Sequence, residues 1–146
     1  MADKPSHIFT IFIRTTPEQL WQALTDGELT RQYYDNCTVE STWQPGAPYR
    51  YVDSQGNLML EGEVLSSDPP RRLVTTFRPM WMGEETKTSK VTYEIEVKGD
   101  VCRLTLIHED LDPVFAAEAG ITEGASRILS ALKTLLETGE PLIVIP

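Results

Sequence analysis

The segment from Ile121 to Thr138 constrains the fold of this chain more than any other. Apolar side chains at Ile121, Ala125, Ile128, Leu129, Leu132, Leu135 and Leu136 recur at helical spacing and make one stripe. Thr122, Glu123, Ser126, Arg127, Ser130, Lys133, Thr134 and Glu137 take the other face. At 1.5 Å per residue the pattern predicts a rod of roughly 27 Å, long enough to span a sheet. Gly139 supplies a C-terminal stop and Pro141 prevents continuation. A one-faced helix of this length must bury its stripe against a second layer.

The preceding residues read as that layer. His7 to Arg14 is rich in β-branched and aromatic residues and predicts a first strand. Thr16 is then a helix N-cap with Pro17 at the first helical position, and Leu20, Trp21 and Leu24 give the short helix its buried face. Asp26-Gly27 breaks it, and Glu28 to Tyr34 predicts another helical turn or two. From there the period changes to two. Strands are expected over Asn36–Trp43, Tyr49–Val52, Leu58–Leu65, Leu73–Phe77, Lys90–Val97 and Val101–His108, separated by Gly-, Pro- and Asp-rich turns. Arg78 to Ser89 is expected to be a long loop, and Asp112-Pro113 starts the path into the C-terminal helical region.

Tight turns between successive strands imply an antiparallel meander with one face free to meet a helix. The fold class is therefore α+β: a curved antiparallel sheet of about six or seven strands around a long C-terminal helix, with two short helices after strand one. Alternation places Tyr49, Tyr51, Leu58, Leu60, Val64, Leu73, Thr75, Phe77, Val91, Tyr93, Ile95, Val97, Cys102, Leu104, Leu106 and His108 on the inner face. A bulge would reverse that parity locally.

Composition narrows the function classes. A chain of 146 residues is expected to form one domain. A net charge of -9 with scattered Lys and Arg argues against nucleic acid and anionic lipid as partners. No run of about 18 apolar residues is present, so no membrane insertion is expected. Met1 to Ser6 is polar with no apolar stretch after it, and Cys37 and Cys102 form no CxxC pair; both point to reduced thiols in a cytoplasmic protein. Phosphate-loop, dinucleotide, nucleophile-elbow and His-Glu-x-x-His motifs are all missing, and two histidines cannot build a histidine-rich metal site. No cofactor, metal ligand or catalytic residue is assigned.

Several segments together resemble the START-like (SRPBCC, helix-grip) superfamily, in particular its heat-shock-protein-90 ATPase activator homologue family. IFIRTTPEQLWQALTDGELTRQYY is similar to that family's opening, with Pro17, Trp21 and the Leu24–Asp26 step in place. GAPYRYVDSQGNLMLEGEVLSSDPPRRLVTTF resembles its central strands and Asp-Pro-Pro turn, and LSALKTLLETGEPL its last helix. The likeness runs from about Ile8 to Leu142. It implies a sheet gripping the C-terminal helix. Family members frequently carry Gly-Trp entering that helix, where this chain has Gly124-Ala125. The missing indole implies a larger or differently shaped cavity.

The expected function is binding of a lipophilic or aromatic small molecule between sheet and helix, as a monomer or homodimer. His108, Tyr49, Tyr51, Tyr93 and Thr75 would be the polar points of that cavity. Leu60, Phe77, Met80, Trp81, Ile95, Leu106, Ala125, Ile128 and Leu132 would be its walls. His108 and Asp110 fall on one side of a strand and could pair as base and orienter, although a histidine at a strand end is more commonly structural. The loop Pro79-Met80-Trp81-Met82-Gly83 has the composition either of a lid or of a plug over the core. Two other functions follow from the resemblance. One is a chaperone-associated module, although the family's activators use a further N-terminal domain for much of that contact. The other is a cyclase- or hydrolase-like enzyme using the same cavity; a non-enzymatic role is the leading expectation.

Overall fold

In the computed structural model, which describes residues 7–143, an antiparallel sheet curls around one long helix. The elements run β1 (His7–Ile13), α1 (Pro17–Thr25), α2 (Gly27–Tyr33), β2 (Thr38–Ser41), β3 (Pro48–Val52), β4 (Leu58–Asp68), β5 (Arg72–Pro79), β6 (Ser89–Lys98), β7 (Val101–Glu109), α3 (Pro113–Ala119) and α4 (Ile121–Thr138). The seven strands are ordered β1-β7-β6-β5-β4-β3-β2. This is the helix-grip architecture. β2 to β7 form a meander, and β1 closes the far edge by pairing antiparallel to β7, with His7 opposite His108.

Local chemistry sets the helix ends. Thr16 Oγ1 accepts from Gln19 N–H at 3.2 Å and Pro17 occupies the first turn of α1. Asp26 both ends α1 and caps α2, accepting from Glu28 N–H at 2.9 Å. Asp112 caps α3 through Val114 and Phe115 N–H. Gly120 joins α3 to α4 with φ of 68°, and Gly139 ends α4 with φ of 82°, conformations that a side chain resists.

The stripe on α4 packs on the sheet through Leu129, Leu132 and Leu135 against Ile13, Val91, Ile95, Leu104 and Leu106. Cys37, Val39, Tyr49, Tyr51 and Leu60 form a second cluster, and Leu111, Phe115, Ala116 and Ile121 a third. Phe77 packs against all three.

Two inner-face assignments fail for identifiable reasons. Leu58 is 36% exposed because the β3–β4 register shifts between Tyr51 and Val52; Tyr51 pairs with Leu60 but Val52 with Leu58. The extra residue, Met59, turns onto the second cluster in place of Leu58. Val97 is 59% exposed because β5 begins at Arg72, opposite Glu94, and the end of β6 has no strand on that side. β4 also runs on to Asp68, through residues expected to form the turn.

Candidate functional site

The three clusters do not merge completely, and a cavity of about 390 Å³ lies where they meet. Its sheet wall is Tyr51, Leu60, Phe77, Val91, Tyr93, Leu106 and His108. α4 contributes Ile121, Gly124, Ala125, Ile128 and Leu129, and Tyr34, Asp35 and Cys37 close the side below α2. A void of about 20 Å³ adjoins it, bordered by Tyr49 and Thr75.

Of the expected site residues, Tyr51, Leu60, Phe77, Trp81, Tyr93, Leu106, His108, Ala125 and Ile128 border the cavity. Tyr49 and Thr75 border the small void and not the cavity; the Tyr49 hydroxyl donates to Thr76 O at 2.5 Å, a structural bond. Ile95 and Leu132 lie in the main core. Met80 is not on the wall: its backbone N–H donates to Met59 O at 2.9 Å, and the sulfur lies 3.8 Å from Arg78 Nη1.

His108 does not pair with Asp110. The strand ends at Glu109, and Asp110 leaves it exposed with φ of 58°. His108 Nε2 instead lies 2.6 Å from Ser89 Oγ, which β6 places on the adjoining strand. The Phe77 ring packs edge-on to the imidazole, centroids 4.8 Å apart. Burial, and next the neighbouring His7, push the His108 pKa down to about 4, so the imidazole is neutral near pH 7.

The tyrosines divide by hydrogen bonding. Tyr33 donates to Ala23 O at 2.7 Å and, like Tyr49, is a core fixture. Among the described residues, the hydroxyls of Tyr34, Tyr51 and Tyr93 have no protein partner. Yet no fully buried side-chain nitrogen or oxygen in these residues lacks a partner. These three hydroxyls therefore border open space rather than packed core. Burial raises all three pKa values, Tyr93 to about 12, which keeps them as neutral donors. Tyr34 stacks on Tyr51 with centroids 4.3 Å apart. Burial also pushes the Cys37 thiol up to about 11, making it a poor nucleophile.

The mouth is held by two contacts. Arg127 on α4 pairs with Asp35, which sits at φ 50° after α2. Trp81 Nε1 donates to Ala119 O at 3.1 Å, laying a half-exposed indole across the α3 end. The loop carrying Trp81 is shorter than expected, Met80 to Thr88, because Ser89 joins β6 opposite Phe77, while Arg78 and Pro79 extend β5 by pairing with Glu61 and Leu60 on β4. It contains a single 3-10 turn, Gly83–Glu85.

The model of the family described as activator of Hsp90 ATPase homolog 1-like protein matches residues 14–137. The chain belongs to this family. Among solved structures, MLL2253 from Mesorhizobium loti superposes on this chain with a TM-score of 0.77 at 22% identity, over 90% of this chain and 96% of that one. The Aha1 dimer from Colwellia psychrerythraea gives 0.74 at 18% identity, over 92% and 98%. DynU16, from the dynemicin biosynthetic locus, gives 0.77 at 19%, covering 93% of this chain and 48% of that one; this chain thus spans about half of DynU16. At these identities the likeness establishes the fold. No curated protein matches the sequence at a meaningful level. No helix among the described residues of this family member is long and apolar enough to cross a membrane.

Sequence reading missed Tyr34, Asp35, Met59 and Arg127. Arg127 was assigned to the polar face of α4, and it sits there, but that face turns over the cavity mouth at its first turns. Tyr34 follows the last residue of α2 and leaves the helical path, with ψ of 66°. Only the adjacent Tyr33-Tyr34 pair at a helix end hinted at it.

Proposed function

We propose that this protein binds a lipophilic or aromatic small molecule between the sheet and α4. The observation that carries the reading is the cavity of about 390 Å³, with apolar walls and three tyrosine hydroxyls that have no partner among the described residues. Ligand sites are typically 300–1,000 Å³, largely apolar, with a few placed polar groups. The sequence-expected residues Tyr51, Leu60, Phe77, Trp81, Tyr93, Leu106, His108, Ala125 and Ile128 would make the contacts, with Tyr34 and Gly124 added. The likeness to a protein of the dynemicin biosynthetic locus is in keeping with a small-molecule role.

A thermal-shift screen with neutral aromatic and lipophilic compounds tests the reading. A ligand at about 100 times its Kd adds roughly 2.7 kcal/mol, which raises Tm by several degrees in a domain of this size. An absence of shift across a diverse panel, including compounds small enough for the cavity, would count against it.

The family description supports a second reading, contact with an Hsp90-type chaperone, and the Colwellia dimer suggests a homodimer as the working state. Co-purification with the chaperone and sedimentation analysis address these separately. Enzymatic action draws less support: the partner of His108 is a hydroxyl rather than a carboxylate, and Ser89 does not border the cavity.

A further inference from the structure

The hydrogen-bond inventory of the cavity specifies more than apolarity. Ser89 Oγ and His108 Nε2 lie 2.6 Å apart at residues only 6% and 4% exposed. Among the described residues the imidazole is the one partner of the Ser89 hydroxyl. A buried hydroxyl proton left without an acceptor is costly, so it belongs on the bond to Nε2. Nε2 is then the acceptor, and the ring proton resides on Nδ1. Nδ1 has no protein partner among the described residues, yet no fully buried nitrogen there is unpaired, so it borders the cavity that His108 lines. Apart from the Arg127 guanidinium, which pairs with Asp35 at the mouth, the cavity thus presents the His108 N–H and the three hydroxyls of Tyr34, Tyr51 and Tyr93. The nearby carboxylates are engaged elsewhere: Asp35 with Arg127, and Asp53 with Gln55 N, Asn57 N and Asn57 Nδ2.

From this donor-rich lining we infer that the ligand is a neutral aromatic carbonyl compound whose oxygen accepts from His108 Nδ1–H, with Ser89 as the positioning residue that fixes the tautomer. The inference rests on the cavity-binding reading above and narrows it to one chemical class. An anion is disfavoured by the mouth, where Asp35 and Asp53 outnumber Arg127 on a chain of net charge -9, and a cation by a wall that offers it N–H and O–H donors. Tyr34, Tyr51, Phe77 and Trp81 supply the aromatic surface on which a planar ring system can lie.

Two measurements test it. The first is the 15N signature of His108 in the ligand-free protein: a protonated Nδ1 and a bare Nε2 are expected at pH 7, with a mixed tautomer in Ser89→Ala. A protonated Nε2 in the parent protein overturns the assignment. The second compares fluorenone with fluorene, equal in shape but differing by one acceptor. Fluorenone is expected to bind about five- to tenfold more tightly, the range of one net hydrogen bond. The preference should fall to about twofold or less in His108→Phe. Should that variant not fold, Ser89→Ala, which deletes a single hydroxyl, is expected to halve the preference or more. Equal affinities in the parent protein overturn the carbonyl assignment and leave the apolar cavity standing. Failure of both compounds to bind overturns the cavity reading, and the carbonyl assignment with it.

Discussion

A buried imidazole makes stability depend on pH in a window that opens above the range where carboxylates titrate. His108 faces His7 across the β1–β7 pair, Ser89 on β6 and the Phe77 ring on β5. Its folded pKa of about 4 lies below the ordinary 6.5. Above pH 6.5 both folded and unfolded chains carry it neutral, and it has no pH effect. Between about 6.5 and 4 the unfolded chain takes up a proton that the folded chain refuses, so stability falls as pH falls. The loss approaches about 3 kcal/mol near pH 4 and then levels. Urea unfolding at pH 7.0 and 5.0 should show the decline in the parent protein and a flatter profile in His108→Phe; identical slopes would refute the assignment. Gly62 is constrained differently. A Cβ there would meet Thr76 O and the Tyr49 ring, joined by the Tyr49–Thr76 hydrogen bond, and Thr76 Oγ1, which accepts from Glu63 N–H at 2.8 Å. Gly62→Ala is expected to cost about 2 kcal/mol or more through overpacking, read as a lower urea midpoint at unchanged m-value. At this scale the sequence was only partly legible. Alternation placed His108 on the inner face, but its partner came from another strand, and a left-handed residue removed the nearer acid.

At the level of elements, α4 has two roles that divide along its length. Leu129, Leu132 and Leu135 fill the core, while Gly124, Ala125 and Ile128 line the cavity. A Cβ at Gly124 meets nothing closer than Arg127 Nη2 at 3.8 Å. Gly124→Ala should therefore stabilise the protein by about 1 kcal/mol, the helix-propensity difference, with the cavity slightly narrowed. Ala125→Trp restores the bulk that relatives often carry at this point. It is expected to fill the cavity, keep the fold by circular dichroism, and abolish ligand-induced thermal shifts. Retained shifts of full size in Ala125→Trp would place the ligand elsewhere. The bounds of α4 were legible because stripe, glycine stop and length agree. The bounds of the Trp81 loop were not, because they depend on how far β5 pairs with β4 on one side and β6 on the other, and the Leu60–Pro79 and Phe77–Ser89 pairs are tertiary events.

For the molecule as a whole, the order of β2 to β7 could be read because each turn carries its own chemistry, whereas the pairing of β1 with β7 could not; alternation located most of the inner face. The cavity could not be read that way. It arises from three apolar clusters that approach around Phe77 without closing, and no single segment encodes a gap. What segments do encode is local stability, which differs across the fold. β6 and β7 are paired on both sides within the sheet, whereas α3, the Trp81 loop and the residues after α2 are joined by few bonds around the mouth. Native-state amide exchange should therefore be slowest in β6 and β7 and much faster at the mouth. Ligand binding should raise protection at the mouth, because opening there destroys the site. The Gly99 hairpin and the Pro69–Arg71 turn can open with the cavity intact, so their exchange should not change. A bound aromatic compound that slows these turns as much as Trp81 and its neighbours would mean that the ligand does not enter between the sheet and α4.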